Sequence, residues 1–189
     1  MTMIITELQN SLDILFIGQT LLYPTDTVWG IGCDATNEVA VSKIFKIKKR
    51  NESKSLVILV DNFEMLEQYI EEIPEGVKTY LSESKSPTTV IYNNPKNLAR
   101  NVIAKDHTVA IRIVQDEFCQ KIIQQFGSPI VSTSANISGE PTPKSFSDIS
   151  ESILDSVDYI VDLHKKQITT KVSSIIKILN DGSIEVIRD

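Results

Sequence analysis

Apolar and polar positions follow two patterns that alternate along the chain. Short apolar runs bounded by polar or turn residues predict strands at 20–23, 56–60, 88–92, 108–113, 129–131, 159–161, 173–179 and 184–187. Stripes of apolar residues three or four positions apart predict helices at 5–16, 39–47, 63–70, 77–81, 118–126 and 149–157. Because strands and helices are mixed throughout, the pattern favours a single α/β domain over residues 1–189 with a mixed sheet.

Turn and capping residues mark several of the predicted element ends. Gly18 and Gly127 follow two of the helical stripes and predict glycine stops, and Asn37 is placed to cap the second helix. An Asn-Asp-Gly sequence at 180–182 lies between the last two predicted strands. The chain is therefore expected to end in a β-hairpin.

Composition is that of an ordinary globular protein, with 41% hydrophobic and 23% charged residues. No apolar run approaches the ~20 residues of a membrane span, and the first residues lack the pattern of a secretory signal. We therefore expect a cytoplasmic protein without membrane association, in which Cys33 and Cys119 are reduced thiols. His107 and His164 have no neighbouring ligand pattern, so both are expected at the surface, and no protein-bound metal is predicted.

The segment 132–139, Ser-Thr-Ser-Ala-Asn-Ile-Ser-Gly, is the most polar stretch that follows an apolar run. Residues 132–136 are expected at the carboxyl end of the strand predicted at 129–131, where α/β sheets usually present their ligand-binding groups. Hydroxyls and a carboxamide can bind phosphate, carboxylate or carbonyl oxygens. The alternative is an Asx or Ser/Thr turn that caps the next element.

A second polar stretch follows the first predicted strand. Pro24 removes a backbone donor, so the hydroxyls of the 25–27 segment are expected at a strand end. Gly30 and Gly32 flank Ile31, and such a pair suits a backbone that passes close to a ligand or to another strand. A bulged core strand is the alternative interpretation.

The formal charge of −6 argues against a surface that holds nucleic acid mainly by neutralising phosphates. Residues 43–54 nevertheless contain six basic residues, among them Lys54, and only one acidic residue, Glu52. Lys48, Lys49 and Arg50 fall at the carboxyl end of the predicted second helix, where the helix dipole favours cations. The cluster fits a local anion site or, alternatively, a solvated helix face.

Four separated segments together resemble the YrdC/Sua5/YciO family. They are YPTDTVWGIG at 23–32, KKR at 48–50, VAIR at 109–112 and STSANISG at 132–139. Their order and spacing fit from about residue 21 to 188, and the most specific part is a KxR element followed much later by SxN. The resemblance implies an open, strongly twisted mixed β-sheet with flanking helices and a concave groove.

For the main branch of that family, the resemblance implies L-threonylcarbamoyladenylate synthase activity. Such an enzyme joins L-threonine, bicarbonate and ATP, releases pyrophosphate, and makes the intermediate for N6-threonylcarbamoyladenosine in tRNA. Carbamate formation and adenylyl transfer need orientation and charge neutralisation more than a protein nucleophile. A Mg²⁺ ion that bridges the ATP phosphates is implied as well, held chiefly by the nucleotide.

Site residues follow from the same resemblance. It assigns catalytic roles to Lys48, Arg50, Ser134 and Asn136. It assigns nucleotide contacts to Lys48, Ser134, Asn136, Thr142 and Arg188, with Lys48 at the phosphates. It assigns L-threonine binding to Thr25, Arg112, Ser132 and Ser173, and the guanidinium of Arg112 is suited to a carboxylate.

Each of these assignments has a structural alternative. Thr25 fits a turn, Arg112 fits a structural ion pair, and Arg188 fits a surface position near the chain end. The chain also has Asn51, Ser55 and Val172 where the family commonly has proline, and a loop over the nucleotide with fewer prolines is expected to be less rigid.

Three other functions stay open, and these departures, with the absence of a family histidine between 54 and 60, admit the first of them. One is a YciO-like paralogue that acts on threonylcarbamoyladenylate or a related adenylate. Another is a module that binds tRNA or duplex RNA weakly, and a third is a carbamoyl-transfer module like those of hydrogenase-maturation proteins. The sequence ends at Asp189, so we expect no counterpart of the extra carboxyl-terminal domain of longer Sua5 proteins. For the synthase, transfer of the product to a tRNA-modifying transferase complex is expected.

Overall fold

The computed structural model describes residues 2–52, 55–169, 172–179 and 181–189. The strands are β1 (Leu21–Tyr23), β2 (Gly30–Gly32), β3 (Val57–Val60), β4 (Thr88–Asn93), β5 (Thr108–Ile113), β6 (Ile130–Ser134), β7 (Tyr159–Ile160), β8 (Ser174–Ile178) and β9 (Ile184–Arg188). The helices are α1 (Thr2–Phe16), α2 (Glu38–Ile47), α3 (Phe63–Tyr69), α4 (Glu75–Glu83), α5 (Glu117–Phe126) and α6 (Glu151–Leu154). Two 3₁₀ turns are formed by Arg100–Val102 and Phe146–Asp148.

In these described ranges the strands form one nine-stranded sheet in the order β7-β1-β2-β6-β3-β5-β4-β8-β9. The sheet is mixed, since β3–β5, β4–β8 and β1–β7 are parallel pairs and the other neighbours are antiparallel. The outer strands β7 and β9 do not pair with each other, so the sheet is open. The predicted class, an α/β domain with an open, twisted mixed sheet and flanking helices, is confirmed.

The hydroxyl-rich segment differs from its prediction. Residues 132–134 do not follow a strand but belong to β6, which the sequence places only at 129–131. Pairing explains the extension, because Ser132 lies opposite Val57 of β3 and Ser134 lies opposite Gly30 of β2. Neighbouring strands on both sides thus impose extended backbone on residues whose composition favours a turn.

The helix predicted at 149–157 is also shorter than expected. Ser145 and Asp148 form a reciprocal capping box around the 3₁₀ turn Phe146–Asp148. Ile149 then has extended backbone, with ψ 126°, so its apolar side chain is not part of a helical stripe. Helix begins again only at α6, and its last residue is Leu154.

Predicted helix ends agree better with the structure. The Asn37 side chain accepts hydrogen bonds from the backbone N–H groups of Val39 and Ala40 and so caps α2. Gly127 ends α5 in the left-handed region, with φ 75°. Strands β8 and β9 form the predicted terminal hairpin, although Asn180 of its expected turn lies outside the described residues.

Helix α1 buries fewer of its apolar residues than the sequence pattern predicts. Leu8, Leu12 and Leu15 are buried, whereas the side chains of Ile5 and Phe16 are largely exposed. The Phe16 ring lies 5.1 Å from the Phe126 ring, centroid to centroid. Within the described ranges, no helix is long and apolar enough to cross a bilayer.

Both cysteines are free and lie in the core. Burial is the main cause that raises the pKa of the Cys33 thiol and of the Cys119 thiol. Both groups are therefore kept protonated and unreactive at neutral pH. His107 and His164 are exposed, as expected.

Candidate functional site: an arginine-lined cavity on one face of the sheet

The first half of the site is positioned by strand pairing. Residues directly opposite on neighbouring strands share a face of the sheet, as do alternate residues along one strand. Gly30 of β2 lies opposite Ser134 of β6, and Ser132, two positions earlier, lies opposite Val57 of β3. These four positions therefore present their side chains, or the hydrogen of glycine, to the same face.

The second half follows from the same registers. Leu59, two positions after Val57, lies opposite Arg112 of β5, and Arg112 lies opposite Thr89 of β4. Thr89 lies opposite Ile175 of β8, which pairs with Arg188 of β9. Residues from seven neighbouring strands thus lie on one face, although they are far apart in the sequence.

A cavity of about 280 Å³ opens on this face. Its lining includes three arginines, Arg50, Arg112 and Arg188. The remaining lining residues carry hydroxyl groups or are small or apolar, namely Thr27, Val28, Gly30, Ser55, Val57, Ser132, Thr133, Ser134, Thr142, Val172, Ser173 and Ile175. None of these described lining residues carries a carboxylate, so the cavity is suited to anionic ligands.

Two further openings share lining residues with the cavity. One, of about 300 Å³, shares Val28 with it and is lined by Thr25, Asp26 and Trp29 among others. Another, of about 410 Å³, shares Thr142 with it and is formed by the 140–144 loop. Seven of the ten residues assigned by resemblance line the central cavity, namely Arg50, Arg112, Ser132, Ser134, Thr142, Ser173 and Arg188, whereas Thr25, Lys48 and Asn136 do not.

Arg112 is almost completely buried at the base of the cavity. Its Nη2 lies 3.0 Å from Asp26 Oδ1, and its Nη1 donates to Thr27 Oγ1 at 3.3 Å. The contact with Asp26 is at ion-pair distance without the angle of a directed hydrogen bond. Arg112 Nε is buried and has no hydrogen-bond partner among the described residues. Arg112 therefore takes part in a structural ion pair, while its Nε is a buried donor without a partner among the described residues.

Thr25 lies behind Thr27 rather than in the central cavity. Its hydroxyl donates to the Val28 carbonyl at 2.8 Å and lies 3.0 Å from the Thr27 hydroxyl. Thr27 in turn lines the cavity and accepts from Arg112. The hydrogen bonds of Thr25 are those of a turn residue, and it is the Thr27 side chain that lines the central cavity.

Lys48 caps the carboxyl end of α2 and is buried. Its Nζ donates to the carbonyl oxygens of Ser134 and Asn136 at 2.5 Å and 2.7 Å, and lies 3.4 Å from Asn136 Oδ1. An ammonium group has three donors, and these three acceptors can occupy all of them. Burial, with a smaller contribution from Arg50, lowers the pKa of Lys48 to about 8.

The loop after β6 is fixed by the same contacts. The backbone N–H of Ser138 donates to the Lys48 carbonyl at 2.8 Å, and Asn136 Nδ2 donates to the Glu140 carbonyl at 2.6 Å. Asn136 thus uses its carboxamide to close its own loop, which agrees with the turn alternative for this residue. Ser132 and Ser134, in contrast, line the cavity as ligand-binding groups would.

Ser173 and Arg188 close the far side of the cavity. Arg188 Nε and Nη2 both donate to the Ser173 carbonyl, at 3.1 Å and 2.6 Å. These bonds fix the guanidinium on the cavity wall rather than leaving Arg188 as an unattached surface residue. Arg50, half-buried on another wall, donates from Nη2 to the Ser55 carbonyl at 2.8 Å.

In the part of the chain that the structure describes, no group of three or more His, Cys, Asp or Glu side chains could hold a metal ion. A larger cavity of about 520 Å³ is lined by Glu72, Asp106 and Asp181, whose charge is unsuited to phosphate or carboxylate ligands. The arginine-lined cavity is therefore the candidate site for an anionic substrate.

Comparisons with known proteins identify the family of the chain. The Sua5_yciO_yrdC family model, described as "Telomere recombination", matches residues 13–189. The chain belongs to this family. A threonylcarbamoyl-AMP synthase of Pseudoalteromonas translucida is 33% identical over 149 residues, which cover 77% of this chain and 79% of that protein.

Solved structures of Sua5/YciO/YrdC proteins share the fold. P. abyssi Sua5 complexed with L-threonine has a TM-score of 0.84 and 29% identity, over 96% of this chain and 53% of that chain. This chain therefore spans about half the length of that Sua5. E. coli YciO has a TM-score of 0.82 and 21% identity, over 96% of this chain and 88% of that chain, and supports the fold alone.

Sequence reasoning on this Sua5/YciO/YrdC chain missed Asp26, Thr27 and Thr89. Asp26 and Thr27 belong to the quoted YPTDTVWGIG segment, and their polarity directly after a strand was a usable signal. Thr89, which bonds to Ser173, lies near the start of strand β4. Its position on the face of the site becomes visible only with the register of β4 on β5 and β8.

Proposed function

We propose that this chain is an L-threonylcarbamoyladenylate synthase, which joins L-threonine, bicarbonate and ATP and releases pyrophosphate. The observation that carries the proposal is the cavity lined by Arg50, Arg112 and Arg188 together with hydroxyl groups and without a lining carboxylate. Each substrate of this reaction carries at least one anionic group. The names of relatives, such as the threonylcarbamoyl-AMP synthase of Pseudoalteromonas translucida, point to the same activity.

The proposed chemistry needs a positively charged enclosure rather than a nucleophilic side chain. The amine of L-threonine adds to bicarbonate with loss of water, and an oxygen of the resulting carbamate attacks the α-phosphorus of ATP. Pyrophosphate leaves, and negative charge develops on the phosphate oxygens during the transfer. Fixed guanidinium groups stabilise such charge without reorganising, and hydroxyl donors hold the substrates in line.

Two ends of the cavity are expected to bind different substrates. Arg112 lines the cavity together with Ser132 and Ser173, and its guanidinium charge suits the carboxylate of L-threonine. Arg50, Ser134 and Thr142 lie on the side expected to bind ATP, which enters as its Mg²⁺ complex. Lys48 is expected to support this side through the carbonyls of the Ser134–Asn136 segment as well as through its charge.

The product is expected to pass to a tRNA-modifying transferase complex in the cytoplasm, for synthesis of N6-threonylcarbamoyladenosine. A YciO-like reaction on a preformed adenylate is the second candidate. It is favoured by Asn51 and Ser55, which stand where the family commonly has proline.

The first test is product analysis by mass spectrometry with Mg²⁺, ATP, bicarbonate and L-threonine. We expect threonylcarbamoyladenylate and pyrophosphate only when all components are present. The variant Arg112→Gln should raise the half-saturating concentration of L-threonine by roughly 10- to 100-fold, because a charge-assisted hydrogen bond is lost. Lys121→Gln, on the exposed side of α5, is the matched control and should behave as the unchanged protein.

The outcomes separate the two candidates. If no adenylate forms but supplied threonylcarbamoyladenylate is consumed, the YciO-like reaction replaces the synthase. If Arg112→Gln weakens ATP and L-threonine equally while its melting temperature is unchanged, the proposed division of the cavity is wrong.

A further inference from the structure

Thr89 is a buried residue next to the cavity, but its side chain is not part of the cavity lining. Its side chain is 1% exposed, and its position opposite Arg112 and Ile175 directs it to the face of the site. The Thr89 hydroxyl donates to Ser173 Oγ at 2.9 Å. A hydroxyl that is buried in a strand is costly unless it makes such a bond.

The direction of this hydrogen bond determines what Ser173 can offer to a ligand. Ser173 Oγ accepts from Thr89, and Arg188 Nη2 approaches it at 3.5 Å. Both neighbours are donors, so the lone pairs of Ser173 face the protein. Within the described residues the Ser173 hydroxyl donates to no group, and its proton remains for an acceptor in the cavity that Ser173 lines.

The backbone of Ser173 is held as firmly as its side chain. Its carbonyl accepts both bonds from Arg188, and the following residue, Ser174, pairs with Thr88 in the sheet. Thr89 therefore fixes the one remaining freedom of Ser173, the rotation of its hydroxyl group. Without Thr89 that hydroxyl would lose the donor that orients it.

We propose that Thr89 is a positioning residue, which orients the Ser173 hydroxyl to donate its proton to a carboxylate oxygen of the amino-acid substrate. That the substrate is L-threonine rests on the proposed function. The role of Thr89 extends that function, because it assigns a residue outside the cavity to the recognition of one substrate and not of the other.

Calorimetric titration of L-threonine and of ATP, each alone, tests the proposal without turnover. Thr89→Val keeps the shape of the side chain and removes the donor, and it should weaken L-threonine binding by roughly 3- to 10-fold while sparing ATP. Thr89→Ser keeps the donor and should restore affinity. Thr88→Val is the control, since Thr88 is equally buried on the same strand but bonds to Ser84, Ser86 and Ser174 on the other face.

A double-variant cycle with Ser173→Ala separates positioning from general damage. If Thr89 acts through Ser173, adding Thr89→Val to Ser173→Ala should not weaken L-threonine binding further. The role of Thr89 is overturned if Thr89→Val binds L-threonine normally, if it weakens both ligands equally, or if its effect persists in full beside Ser173→Ala. Failure of the unchanged protein to make adenylate while it binds L-threonine would refute the synthase alone, and failure to bind L-threonine would overturn both proposals.

Discussion

The ammonium group of Lys48 is enclosed by oxygen atoms of the 134–136 segment rather than by solvent. Two of these acceptors are backbone carbonyls, so the side chain joins the end of α2 to the end of β6. A buried charge of this kind is tolerated only where its hydrogen bonds are satisfied. Removing Lys48 would leave those carbonyls without their donor and would loosen the segment that carries Ser134.

The lowered pKa of Lys48 predicts a pH dependence of stability. Its pKa is about 8 in the folded protein, mainly because of burial, and 10.5 for the ordinary group. Between about pH 8 and pH 10.5, Lys48 is protonated in the unfolded chain but largely deprotonated in the folded protein. The free energy of unfolding therefore rises with pH over this range. Relative to Lys48→Met, which cannot titrate, the unchanged protein should gain about 1–3 kcal/mol from pH 7 to pH 10.

Denaturant unfolding at several pH values measures this difference. Lys46→Met serves as the control, because Lys46 lies on the exposed side of α2 and its loss should leave the pH profile of the unchanged protein intact. Parallel profiles for Lys48→Met and the unchanged protein would show that Lys48 does not titrate in this range.

At the scale of single elements, strand β2 can pack in its place only because two of its three residues are glycines. A Cβ on Gly32 would overlap the carbonyl oxygen of Val131 and approach Tyr23 Cε1 to 2.7 Å. A Cβ on Gly30 would meet Ser132 Oγ at 2.9 Å, a side-chain atom that can move. The absence of a side chain at position 32 is therefore needed for the fold. At position 30 it keeps the Ser132 side chain in its place in the cavity.

Alanine substitutions should separate these two roles. Gly32→Ala should destabilise the fold by about 1–3 kcal/mol, because neither the β6 backbone nor the packed Tyr23 ring can move freely. Gly30→Ala should cost less stability but weaken L-threonine binding, because it displaces Ser132 in the cavity. Thermal unfolding and calorimetry on both variants give the two readouts, and equal stability losses with equal affinities would contradict the distinction.

The same element marks what the sequence could predict. Apolar runs identify strands such as β3 and β5 because their burial needs no knowledge of partners. The three-residue strand Gly30–Gly32 and the extension of β6 through Ser134 depend on pairing with distant strands, which composition does not encode. Motif resemblance was enough to select Arg112 and Ser173. The supporting side chains Asp26 and Thr89 could be recognised only from the register of the sheet.

At the scale of the whole molecule, charge is divided between an acidic exterior and a basic cavity. The net charge is −6, and the three arginines of the cavity are each held by a contact with Asp26, Ser55 or Ser173, with Arg112 buried, Arg50 half-buried and Arg188 exposed. An acidic exterior does not attract polyanions over long distances. Small anions that reach the cavity meet a positive enclosure, whereas a duplex meets chiefly the exterior.

The basic segment 43–54 is also less available than its composition indicates. Lys48 is buried and bonded internally, and Lys43 donates to the Gly18 carbonyl at 3.2 Å and lies 3.9 Å from Asp158. Lys54 lies outside the described residues. Lys46 and Lys49 are exposed cations of this segment, so few phosphates can be neutralised at once.

These placements predict weak and salt-sensitive binding of tRNA or duplex RNA. With roughly two or three phosphates neutralised, the slope of log K against log salt should not exceed about 3 in magnitude, since each phosphate contributes about 0.9. Fluorescence anisotropy with a labelled duplex between low and physiological salt measures the slope. Lys46→Gln with Lys49→Gln should reduce it while leaving L-threonine binding intact, because neither lysine lines the cavity. A steep slope with tight binding at physiological salt would instead require a basic surface elsewhere on the protein, and RNA recognition would then become a main activity.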